Sequence, residues 1–267
     1  MKLVDIIRYP IKSGQAVHLE QANIETKGIV GDRRFMLAEE DGRFITARKD
    51  PILLDLNIES DGQTLSILYK NKMIAKGDFS SSERLSVTVW SRITSVQRIR
   101  LNNKTLDSLF ERKVCLVFND SQATELAEKR YEWGPILSDG YPILLTNTAS
   151  LDALNHASGG LFEMARFRPN LVIDSSIPWI EDSWSRFQIG EAIFERRKPC
   201  ERCVLVTRDP ITGLKDSHQE PLRTLQAIHS GPNGEINFGQ NISLVKPGKV
   251  SLGDKVTLVD ELGHPMS

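Results

Sequence analysis

The densest chemistry in the sequence is Arg196-Arg197-Lys198-Pro199-Cys200-Glu201-Arg202-Cys203, a C-x-x-C pair behind three basic residues and with Arg202 inside it. Neighbouring positive charge favours thiolate over thiol, and thiolate is the form that acts as nucleophile and binds soft metals. Three other assignments compete with a reactive or metal-binding thiolate. Structural zinc needs about four ligands, yet the chain has no second C-x-x-C, and His18, His156, His218, His229 and His264 are dispersed. A thioredoxin-like dithiol opens a helix after a strand. Here Cys203 runs into the β-favouring Val204-Leu205-Val206-Thr207 and then a turn at Asp209-Pro210-Ile211-Thr212-Gly213. Two buried thiols acting as small apolar groups would leave three adjacent cations costly to bury unpaired.

The elements that must carry this segment read mainly as β. Short strands are expected at Val17 to Glu20, Arg34 to Leu37, Arg43 to Thr46, Thr64 to Leu68 and Leu85 to Trp90, with turn signals at Asp41-Gly42 and Asp61-Gly62. Lys2 to Arg8 reads as a first strand. Past Leu101, helices are expected at Lys104 to Glu111 and Ser121 to Lys129, flanking a strand at Val114 to Phe118. Pro142 to Thr146 reads as a buried strand, and Thr148 to Leu154 as a capped helix start. Further strands are expected at Asn170 to Ile173, Ala192 to Arg196, Val204 to Thr207, Ile242 to Val245 and Val256 to Val259, and a helix at Pro221 to His229. The fold class is mainly β with some helices (α+β). An N-terminal β-barrel-like domain over residues 1–120 is expected to pack on a second domain over residues 121–267.

Composition narrows the function classes. The 267 residues are 40% hydrophobic and 26% charged, and no apolar run approaches the roughly 20 residues a membrane span needs. No membrane partner is expected. A net charge of −1 with scattered arginines argues against stable nucleic-acid binding, which draws on concentrated positive charge. Three cysteines, an odd count, and an N-terminus unlike a secretory signal point to free or metal-bound thiols in a reducing cytoplasm.

The segment Cys200-Glu201-Arg202-Cys203-Val204-Leu205-Val206-Thr207-Arg208-Asp209-Pro210-Ile211-Thr212-Gly213 resembles the signature of the MOSC domain family, the molybdenum cofactor sulfurase C-terminal domains. The resemblance extends over nearly the whole chain, through Tyr9-Pro10-Ile11-Lys12-Ser13, Gly31-Asp32-Arg33, Thr46-Ala47-Arg48, Phe167-Arg168-Pro169-Asn170, Glu181-Asp182-Ser183-Trp184 and Phe238-Gly239-Gln240-Asn241. Within the family it is nearest the branch of amidoxime-reducing components and their bacterial counterparts. Those pair a MOSC N-terminal β-barrel domain with a MOSC β-barrel domain.

The resemblance implies a molybdenum cofactor (Mo-molybdopterin), with Cys203 as the metal ligand and catalytic residue and Cys200 secondary. Lys12, Ser13, Arg33, Arg168, Asn170 and Arg202 match the family's cofactor-contacting positions. Arginine suits the pterin phosphate because its planar fork fits phosphate oxygens. Thr148 and Ser150, at a helix start, offer further phosphate donors, although capping explains them equally. Asp182, Trp184 and Asn241 stay open between core and pocket roles. The implied activity is reduction of small N-hydroxylated compounds by N–O cleavage. No ferredoxin-type C-x4-C-x2-C pattern follows Ser251, so an external electron donor, a ferredoxin or flavoprotein reductase, is the implied partner. The alternatives are a carrier of the cofactor or of persulfide sulfur, and a binding module without turnover.

Overall fold

Leu3, Ile6 and Ile7 are buried along the strand Lys2–Arg8, which pairs antiparallel with Leu171–Asp174. The computed structural model describes residues 1–120, 124–125, 137 and 139–266. They form two compact units that interleave in sequence. One comprises residues 1–8, 18–30 and 141–267, the other residues 9–17 and 31–140. The interleaving has a plain cause: the first strand finds its partner at Leu171–Asp174, far along the chain.

The first unit is built on an eight-stranded sheet in the order Val17–His18, Lys2–Arg8, Leu171–Asp174, Ile143–Asn147, Asn237–Lys246, Ala192–Glu201, Arg186–Ile189, Val256–Val259. The sheet curls until its ends meet, with Leu3 N–H donating to the Asp254 carbonyl at 2.8 Å and Val256 N–H to the Met1 carbonyl at 3.2 Å. Closure removes open edges. Leu3, Ile6, Leu145, Leu171, Phe187, Phe194 and Ile242 fill the interior. Ile143–Asn147 and Leu171–Asp174 run parallel, which requires a crossover. Helix α2 (Thr148–Ser158) supplies it; among the described residues the other helices are α1 (Lys104–Phe110) and α3 (Leu222–Ile228). Asn147 caps α2 by accepting from Ala149 N–H at 3.1 Å, and Gly159, at φ 67°, ends it.

The second unit holds a sheet ordered Thr124–Glu125, Arg92–Arg98, Cys115–Phe118, Phe35–Ala38, with Arg84–Val89 also paired to Arg92–Arg98. A four-stranded sheet ordered Arg100–Leu101, Lys72–Asp78, Thr64–Tyr69, Leu56–Ser60 completes it. Met36, Ala38, Val87, Val96, Cys115 and Val117 form a core there. Burial pushes the Cys115 thiol up to about 11, the behaviour of a small apolar core residue.

Two local expectations fail, and a third lies almost wholly outside the described residues. Val204–Thr207 is a 3-10 turn, because Val206 N–H bonds back to the Cys203 carbonyl and the Thr207 hydroxyl to the Val204 carbonyl, burying Val206 in a side cluster with α3. Arg43 to Thr46 makes only the isolated bridges Ala38↔Phe44 and Arg43↔Thr88. The helix expected at Ser121 to Lys129 falls outside the described residues except Thr124–Glu125, which pair as a strand with Thr94 and Ser95. Among the described residues no helix is long and apolar enough to cross a membrane.

Candidate functional site

The strand Ala192–Glu201 delivers the cysteine pair. Its pairing with Asn237–Lys246 slips twice near the end, leaving Lys198 opposite Asn241, Pro199 opposite Gln240 and Glu201 opposite Asn237. Such bulges re-aim side chains. The two sequence motifs, C-x-x-C and Phe238 to Asn241, therefore lie face to face, and the Asn241 amide donates to the Pro199 carbonyl at 3.3 Å. Only glycine fits at 239: φ is 76°, and a Cβ would stand 2.5 Å from the Leu145 carbonyl oxygen.

The cation at the cysteines is Arg202. Its Nη1 donates to Cys200 Sγ at 2.8 Å, its Nη2 to the Phe167 carbonyl at 2.8 Å, and its backbone N–H to the Ile236 carbonyl at 2.7 Å. The guanidinium lies over the Phe167 ring, which stacks on Phe238 at 3.7 Å between centroids. The preceding basic run is spent elsewhere: Arg196 donates to the Trp184 carbonyl, and Arg197 bonds Ser243 and pairs with Glu195. Lys198 lies over the Tyr141 ring. Cys203 is half-buried in extended backbone, and none of the three cysteines is bonded to another.

Arg168 follows the Met164–Phe167 turn in left-handed backbone, φ 53°. Asn170 is buried in the sheet, its amide accepting from Leu144 N–H at 3.2 Å and donating to the Ile7 carbonyl at 3.1 Å, so it ties the neighbouring strands together. The start of α2 holds a carboxylate. Ser150 donates to Glu181 at 3.1 Å and accepts from Trp179 N–H, while Asn147 donates to the other Glu181 oxygen at 3.0 Å. Burial, with help from neighbouring Asp182, raises the Glu181 pKa above the ordinary value. Thr148 donates to Asp174. Both hydroxyls expected to face a phosphate are thus engaged by acidic residues.

Lys12, Ser13 and Arg33 belong to the second unit. There the loop at Tyr9 is zipped to Asp32, Arg33 and Phe35: Tyr9 N–H donates to the Asp32 carboxylate at 2.7 Å, Arg33 N–H to the Tyr9 carbonyl at 2.7 Å, and Lys12 N–H to the Phe35 carbonyl at 2.8 Å. Lys12 is a buried lysine, donating to the Leu137 carbonyl at 3.0 Å and pairing with Asp139. Burial pulls its pKa below the ordinary value despite Asp139, and Arg33 and Arg92 push the same way. Ser13, Arg33 and Arg168 all carry positive φ, at 66°, 47° and 53°. Six other described non-glycine residues share this backbone, among them the turn residues Lys70 and Asn71 and the helix C-cap Glu111, so it does not by itself mark a site.

Sequence reasoning missed Trp90, Arg92 and Asp139, which surround Lys12, and His229, discussed below. Nothing in their spacing pointed to Lys12; only the fold collects them.

The donor set suits an anionic, soft-metal group. The free, partly accessible Cys203 thiol stands next in sequence to Arg202, whose Nε is buried without a partner among the described residues. Among the described residues no cluster of three or more His, Cys, Asp or Glu could cage a metal by itself. A metal here would take one protein sulfur and draw its other ligands from elsewhere.

Comparison with known families matches the MOSC N-terminal beta barrel domain to residues 1–106 and the MOSC domain to residues 135–257. Among characterised proteins, mitochondrial amidoxime-reducing component 1 of Mus musculus is 29% identical, with 95% of this chain and 81% of that one aligned. The Homo sapiens component 1 is 27% identical over the same shares. Mitochondrial amidoxime reducing component 2 of Rattus norvegicus is 29% identical over 93% of this chain and 80% of that one.

Proposed function

The chain belongs to the MOSC family by the two domains it carries, and from that premise we propose that it reduces N-hydroxylated small molecules with a molybdenum cofactor held through Cys203. The amidoxime-reducing relatives support the reaction class. Balance requires two electrons and two protons for each N–O bond cleaved, giving the amine and water. The electrons come from an external donor, a ferredoxin or flavoprotein reductase. When bound, the cofactor supplies the two-electron couple and its pterin supplies sulfur ligands.

The observation that carries this reading is the free, half-buried Cys203 thiol next in sequence to Arg202, whose guanidinium is fixed at the cysteine pair. Cys203 provides the soft sulfur that molybdenum prefers. Arg202 keeps its guanidinium beside the pair by its bonds to Cys200 and Phe167. In one unit Lys12 and Arg33 offer cationic donors and Ser13 a hydroxyl; in the other Arg168 offers a cationic donor. Asn170 acts by ordering the strand after Arg168, and Thr148 and Ser150 by building the start of α2. A cytoplasmic setting is part of the proposal and accords with three free thiols.

The test is turnover. Protein made in cofactor-competent cells, given a reduced dye and a hydroxylamino purine, is expected to release the amine. Bound molybdenum without such turnover would favour a cofactor or persulfide carrier instead.

A further inference from the structure

Asp182 and Gln240, from two motifs left without a role by sequence, bond to each other and meet His229, a residue outside every motif. The Gln240 amide donates to one Asp182 oxygen, and His229 Nε2 lies 2.7 Å from the other. His229 Nδ1 lies 3.0 Å from the Asn237 carbonyl oxygen. A carbonyl oxygen only accepts, and an ionised Asp182 carboxylate accepts at both oxygens, from Gln240 at one and from the ring at the other. Both ring nitrogens of His229 must then donate, which only the imidazolium can do. Trp179 stacks on the ring at 4.0 Å and 14°, the placement that favours a cation. The His229 side chain is 16% exposed, so this charge is largely enclosed.

The consequence lies on the strand that faces the cysteines. Asn237, which His229 holds, stands opposite Glu201. Ile236, one residue before it, accepts the Arg202 backbone N–H, and Phe238, one residue after it, stacks on Phe167, whose carbonyl accepts Arg202 Nη2. The two anchors of Arg202 thus flank the residue that His229 fixes. We propose that His229 is a positioning residue, a structural imidazolium that locks Asn237 and, through Ile236 and Phe238, sets Arg202 beside Cys200.

The carboxylates acting on the imidazole are Asp182 and Glu181, both in the turn Ile180–Ser183. The elements packed on α3 also carry Asp152 and His156 on α2 and Lys246 at the far end of Asn237–Lys246, and Arg223 lies on α3 itself; Val204–Thr207 brings no ionisable side chain. Glu181 is engaged by Asn147 and Ser150, leaving Asp182 as the direct partner. Raising the pH removes one of the two donors and leaves either Asp182 or Asn237 facing a lone pair.

The experiment uses the full chain without cofactor, so its result is independent of the molybdenum reading. Histidine ring nitrogens are labelled with 15N, and the His229 signal is identified by its loss in His229→Gln. At about pH 7, where an ordinary histidine is mostly neutral, His229 is expected to carry protons on both nitrogens. Hydrogen exchange at the Arg202 amide, corrected for intrinsic rate, is expected to rise about tenfold in His229→Gln and to stay at the wild-type rate in His229→Arg, whose guanidinium can donate to both partners. In the wild type the same rise should appear as pH passes through the His229 titration. A singly protonated His229 at about pH 7 would overturn the proposal, as would His229→Arg exchanging like His229→Gln or a wild-type profile without the step.

Discussion

Arg202 reaches Cys200 Sγ from Nη1 at 2.8 Å while Nη2 holds the Phe167 carbonyl at 2.8 Å. A planar fork makes both bonds at once, and an ammonium does not reproduce that geometry. Arg202→Lys keeps the charge and loses one of two charge-assisted bonds, each worth about 1.5–3 kcal/mol. Cofactor retention, measured as molybdenum per chain after gel filtration, should fall roughly tenfold to a hundredfold. Retention at the wild-type level would show that the fork has no part in holding the group.

Ser13 pays a conformational cost at φ 66°. Glycine carries no such penalty, so Ser13→Gly should stabilise the chain by up to about 1 kcal/mol while weakening cofactor retention through loss of the hydroxyl. Denaturant unfolding and molybdenum analysis together read both effects. A variant that is less stable contradicts the conformational cost at Ser13, and one that holds the cofactor as well as wild type contradicts the role of its hydroxyl.

Gly239 is fixed for a different reason. Alanine there meets the Leu145 carbonyl oxygen at 2.5 Å in left-handed backbone. Strain and overpacking together predict a loss of roughly 2–5 kcal/mol. Chemical denaturation should show it as a lower midpoint at unchanged slope.

The pH dependence of stability follows from His229 and Glu181. Burial alone would lower the His229 pKa, but the Asp182 hydrogen bond, the Asn237 carbonyl and the charges of Asp182 and Glu181 outweigh it and raise the value. A group raised on folding contributes fully below its unfolded pKa and loses that contribution as pH rises through its folded one. Stability should therefore decline on the alkaline side of about pH 6.5, the ordinary histidine value. Glu181, raised chiefly by burial, adds a step of the same sign just above the ordinary carboxylate range. Calorimetry across pH should show both steps in wild type and only the more acidic one in His229→Gln. A wild-type melting temperature that climbs from neutral to alkaline pH would contradict this.

Much of the architecture was legible in the sequence because alternation and turn residues act locally. Thr64–Tyr69, Cys115–Phe118, Val256–Val259 and the three helices lie within a residue or a few of where those signals place them. What was not legible depended on partners distant in sequence. Val204–Thr207 has β-favouring side chains, yet bonds to Cys203 and burial beside α3 close it into a turn. Ser150 looked like a donor awaiting a phosphate, and its partner Glu181 lies 31 residues away. The charged run before the cysteines looked like their activating field, but Arg196 and Arg197 are tied to Trp184, Ser243 and Glu195, leaving Arg202 as the cation in contact. His229 carried no signal at all; only the fold brings it to Asp182 and Asn237.

The most direct test is metal analysis of the chain purified from cells that make molybdenum cofactor, beside Cys203→Ala and Cys200→Ala. Molybdenum near one per chain is expected in the wild type, reduced but not abolished in Cys200→Ala, which loses the Arg202 bond, and lost in Cys203→Ala. Metal-free wild-type protein from such cells, or a Cys203→Ala variant that keeps its molybdenum, would contradict the assignment of Cys203 as the metal ligand.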